Sequence, residues 1–97
     1  MIRFTLVKLL GGKVFVNGPM GGLGGELKHV SFVLNQDGVT VEGRGQASGD
    51  NWWGEAPAQS LHPGPVFAVG VAVAMEDLHG PPSVRTTTWC ETATIVT

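Results

Sequence analysis

With 97 residues the chain has length for one domain and one core, residues 1–97, and little volume to spare for a deep ligand cavity. Charged residues make up 14% against roughly a quarter in ordinary domains, which points to apolar surface covered by a partner or by copies of the chain itself. The net charge is −2, and Arg3, Lys8, Lys13, Lys28, Arg44 and Arg85 are scattered, so no basic cluster favours nucleic acid.

Ile2 to Leu10 reads as a first strand. Its alternating polarity lacks the continuous apolar core of a signal peptide. Gly11-Gly12 allows a tight reversal into Lys13 to Val16. Asn17 to Gly25, rich in glycine, reads as a loop. It matches no phosphate-binding glycine motif.

The sharpest local signal follows. His29 to Gln36 and Val39 to Gln46 flank Asp37-Gly38, a pair suited to a type I′ hairpin turn. That turn fixes the register. Leu34 faces Val41, Phe32 faces Gly43 and Val30 faces Gly45, with polar pairs on the other face. An aromatic residue opposite a strand glycine covers the gap that the glycine leaves.

Ala47 to Pro65 reads as a long irregular stretch with a short helical turn at Pro57 to Leu61. Val66 to Glu76 alternates in size rather than polarity. Phe67, Val69, Val71, Val73 and Met75 form a large face, and Val66, Ala68, Gly70, Ala72 and Ala74 a small one. Both faces read as buried, the large one filling the core and the small one admitting a second layer or another subunit. Val66 to Met75 is also the longest apolar run, well short of the roughly 20 residues of a membrane helix. Asp77 to Ser83 is a turn with Gly80-Pro81-Pro82 as stop signal. Val84 to Thr97, rich in threonine, is the last strand.

The chain therefore reads as all-β, an antiparallel β-sandwich or small β-barrel of about six strands with little helix. The expected core is Phe4, Leu6, Phe15, Val30, Phe32, Leu34, Val41, Phe67, Val69, Val71, Val73 and Trp89.

Chemistry-bearing patterns are sparse. His29, His62, His79 and Cys90 sit at no metal-site spacing, so no metal and no cofactor are expected. Cys90 is the lone cysteine, which excludes an internal disulfide and fits a reducing, cytoplasmic setting. No nucleophile motif is present, and Glu76-Asp77 reads as solvated charge at a strand end. No catalytic residue is assigned.

Trp52-Trp53 is the strongest site candidate. In an extended chain the two rings point in opposite directions. Asp50, Asn51, Glu55 and His62 lie near them in sequence and offer hydrogen bonds to a ligand. Exposed indoles suit a sugar face, a small aromatic molecule or a protein partner. The plainer reading is that the rings cap the core.

Two functions follow as expectations. The preferred one is a non-enzymatic protein-binding or assembly module acting as a homo-oligomer, without nucleic acid or membrane. The other is a small-molecule binding protein or small β-barrel enzyme, with a site under the Trp52-Trp53 and glycine-rich loops holding a small polar or aromatic ligand.

Overall fold

A computed structural model of the chain describes residues 1–21, 26–76 and 83–97, with backbone alone for residues 26–28 and 76. The expected turn at Asp77 to Ser83 lies, apart from Ser83, outside the described residues, as do His79 and the end of the glycine-rich loop.

Seven strands form: β1 (Leu6–Leu10), β2 (Lys13–Pro19), β3 (Glu26–Gln36), β4 (Val39–Ser48), β5 (Asn51–Pro57), β6 (Gly64–Glu76) and β7 (Ser83–Val96). They close into a barrel in the order β1-β2-β5-β4-β3-β6-β7. All neighbours are antiparallel except the closing pair, where β1 and β7 run parallel over Val7↔Ile95 and Lys8↔Val96. The fold is the barrel of the two architectures expected, with one strand more.

The extra strand is β5, which lies where the sequence suggested an irregular stretch. Gly49-Asp50 is a two-residue turn joining Ser48 to Asn51, and β4 and β5 pair through Arg44↔Glu55, Gln46↔Trp53 and Ala47↔Trp52. A Gly-Asp pair is itself a hairpin signal. The expected helical turn at Pro57 to Leu61 is instead a tight turn closed by Leu61 N–H donating to the Ala58 carbonyl at 3.0 Å. Asn17 to Pro19, expected as loop, complete β2 beside β5.

The hairpin of β3 and β4 forms as its turn chemistry dictates. Asp37 and Gly38 adopt φ of 51° and 81°, and the register is Leu34↔Val41, Phe32↔Gly43 and Val30↔Gly45. Positive φ at both central residues gives the turn the twist of its strands.

Ahead of β1, residues 1–5 run alongside β2. Thr5 N–H donates to the Asn17 carbonyl at 2.8 Å and Arg3 N–H to Pro19 at 3.3 Å. On the other side, towards β7, Phe4 N–H donates to the Glu91 carboxylate at 3.2 Å. The Arg3 guanidinium lies 3.9 Å from the same carboxylate. A side chain thus stands in for backbone pairing where the parallel seam is short.

Four aromatic rings fill the barrel. Phe4 packs at 5.2 Å from both Trp52 and Trp89, and Phe32 lies 6.3 Å from Trp52. Room for them comes from glycine. Across the sheet one row reads Trp89, Gly70, Phe32, Gly43. A methyl group at Gly70 would collide with the Trp89 indole, and one at Gly43 with the Phe32 ring.

This explains the main correction to the expected core. Phe4, Val30, Phe32, Leu34, Val41 and Trp89 are buried. On β6 the small face, not the large one, points inward: Val66, Ala68, Ala72 and Ala74 are buried. Rings supplied by other strands already occupy the interior, so only small side chains fit there. Phe67 is 49% exposed and Leu6 37%, while Phe15, Val69, Val71 and Val73 are half-buried on the outer surface.

Candidate functional site

Trp52 and Trp53 do point in opposite directions, and the six residues proposed as one site are separated. Trp52 is fully buried among the core rings, and its Nε1–H donates to the Arg3 carbonyl at 3.0 Å. It fastens the N-terminal segment and does not face a ligand. Trp53 is 42% exposed on the outer face of β5. Asn51 and Glu55, two residues away along the same strand, share that face. Asp50 sits in the turn before β5, where its carbonyl accepts from Met20 N–H at 3.0 Å.

His62 lies at the opposite end of the barrel, in the β5–β6 connection. Its Nε2 is 2.7 Å from the Asp37 carboxylate and its Nδ1 3.0 Å from the Pro63 carbonyl. Both partners are acceptors, so the doubly protonated ring satisfies both. The pKa is raised above 6.5, first by the Asp37 hydrogen bond and then by the Pro63 carbonyl. Beside it, buried Gln36 donates through Nε2 to the His62 and Pro65 carbonyls at 3.0 and 2.9 Å. Its Oε1 accepts from His62 N–H at 2.9 Å. The arrangement ties the end of β3 to the connection and is structural.

Besides a shallow depression of about 350 Å³ along the β1–β7 seam, two outer surfaces stand out among the described residues. The first surrounds Trp53. Its cross-strand neighbours are Gln46 on β4 and Asn17 on β2. A depression of about 230 Å³ is lined by Arg44, Gly45, Gln46, Trp53 and Glu55. Arg44 also lines a second of about 450 Å³, bounded by residues of β3 and β4. The Glu55 carboxylate is 3.2 Å from Lys13 Nζ. Sequence adjacency missed Arg44, Gln46 and Asn17, because strand pairing brings them to Trp53; the Gly49-Asp50 turn was the signal that placed Gln46 there.

The second surface is the outer face of β6 with its neighbours. Its rows run Asn35-Phe67-Thr92, Val33-Val69-Cys90, Ser31-Val71-Thr88 and His29-Val73-Thr86. None of these twelve positions is Asp, Glu, Lys or Arg. Cys90 is a free, exposed thiol within this face.

Among the described residues no group of three or more His, Cys, Asp and Glu side chains is placed to hold a metal ion. Nor, among the same residues, is any helix long and apolar enough to cross a membrane. No protein-family model matches the chain, and no curated protein or solved structure is significantly similar to it.

Proposed function

We propose that the chain is a non-enzymatic assembly module that binds a second copy of itself through the outer face of β6. The observation that carries this reading is the charge-free stripe from Phe67 to Val73, whose large side chains point away from the barrel's own core. From Phe67 to Val73 the stripe extends about 20 Å, and three strands are about 14 Å wide, at ~3.4 Å per residue and ~4.8 Å per strand. That is about 300 Å² per copy, an apolar row flanked by Asn, Ser, Thr and His, at the lower end of the scale at which an exposed patch on a monomer marks an interaction surface. It is less than half of the roughly 800 Å² per partner of a standard stable complex, so the association is weak and transient. The low overall charge supports the same reading. A ligand site beneath Trp52 finds less support, since rings fill that volume.

Cys90 is a built-in reporter of the contact. It flanks Val69 in the stripe, so its thiol is covered when two copies meet. Labelling by a thiol reagent slows as protein concentration rises through the micromolar range. A labelling rate independent of concentration contradicts the reading.

A further inference from the structure

We infer that the outer face around Trp53 is a binding site for a neutral saccharide of two or three sugar units. The assembly reading leaves Trp53 without a role. A tryptophan 42% exposed on a barrel strand is held rigidly by the ladder on both sides, through Gln46 on β4 and Asn17 on β2. Such a ring offers a flat apolar platform with one N–H donor at its edge. The sugar ring is the complementary shape, with an apolar C–H face and hydroxyls around its rim.

The groups around the platform have the chemistry that hydroxyls need. Gln46 and Asn17 each carry a primary amide, donor and acceptor together. Arg44 and Glu55 stand opposite each other in the next row. A guanidinium bonds two neighbouring oxygens at once. Arg44, Gln46 and the Trp53 indole N–H make no hydrogen bond with another described residue.

Charge argues for a neutral ligand. Arg44 and Lys13 balance Glu42 and Glu55 on this face, leaving no net field to select an anion or a cation. Size sets the length. Arg44 lines both depressions, which together span from β5 to β3, two inter-strand spacings or about 10 Å, the length of a short oligosaccharide. At β3 the groove shares Ser31 and Val33 with the outer face beside β6.

The test is nuclear magnetic resonance titration of the tryptophan indole N–H signals, three in number, with Trp53→Phe used to assign the one on the outer face. The probes are maltotriose, cellotriose, N,N′,N″-triacetylchitotriose and mannotriose, all neutral, each raised to the order of 10 mM, where even millimolar affinity is seen. At least one of them shifts the Trp53 signal and leaves Trp52 and Trp89 in place. Trp53→Ala, followed through the backbone amide signals of Gln46 and Glu55, weakens that binding by about tenfold or more, the equivalent of ~1.4 kcal/mol of stacking. Gln46→Ala, an exposed change that keeps the platform, weakens it by about threefold or more. The inference is overturned if none of the four trisaccharides moves the Trp53 signal. It is equally overturned if binding is unchanged in both variants, or if only a charged saccharide or a planar aromatic such as indole shifts the signal.

Discussion

At the scale of single residues, the two buried tryptophans do different work although they touch. Trp52 and Trp89 lie 5.9 Å apart at 78°, and both fill the barrel. The Trp52 N–H is bonded to the Arg3 carbonyl, whereas the Trp89 N–H is buried with no partner among the described residues. Removing the satisfied donor leaves the Arg3 carbonyl without its partner; removing an unsatisfied one relieves a cost. Each phenylalanine replacement also loses part of a ring. Trp52→Phe is therefore expected to destabilise the protein by about 1 kcal/mol more than Trp89→Phe, as measured by denaturant unfolding. Equal losses would mean that the Arg3 bond contributes nothing.

At the scale of elements, the connection from β5 to β6 is held by Gln36 and by the His62–Asp37 pair at the end of β3. The His62 pKa is raised above 6.5 in the folded state. Its contribution to stability is therefore complete below the unfolded value and is lost as pH rises through the folded one. Following the His62 ring signals with pH should give a midpoint above 6.5, and Asp37→Asn should bring it down towards that value. Asparagine accepts the positive φ of 51° at this turn, so the hairpin itself survives. A His62 midpoint unmoved by the substitution would remove the Asp37 bond as the cause. The hairpin that carries this pair was legible in full, because Asp37-Gly38 dictates both turn and register locally. β5 was hidden because tryptophan, glycine and proline read as loop punctuation, although Gly49-Asp50 and the alternation of buried Trp52, Gly54 and Ala56 mark a strand. The orientation of β6 could not be read locally at all. Which of its faces points inward depends on Phe32 and Trp89 in flanking strands and on Phe4 and Trp52 further round the barrel. The candidate site suffered from the same limit: Asp50 and His62 are near Trp53 in sequence, but Gln46, Asn17 and Arg44 are near it in space.

At the scale of the whole molecule, closure removes most open edges, yet it leaves the largest side chains of β6 outside. Closed barrels protect their strand edges by pairing them. Their outer surface must then be either polar or covered. The faces of β4 and β5, with Glu42, Arg44, Asn51 and Glu55, meet the first condition. The outer row of β6 does not, and the proposed cover is another copy of the chain. Sedimentation equilibrium over a wide concentration range tests this most directly, with the wild type compared to Val71→Glu. Val71 lies mid-stripe between Ser31 and Thr88, half-exposed on the outer face, so a carboxylate there stays solvated in the monomer but would be buried unpaired between two copies. The wild type is expected to reach twice its 10.2 kDa chain mass in the micromolar range, with Val71→Glu remaining monomeric and folded. A wild type that stays monomeric at every concentration, or a Val71→Glu variant that dimerises as the wild type does, would contradict the account.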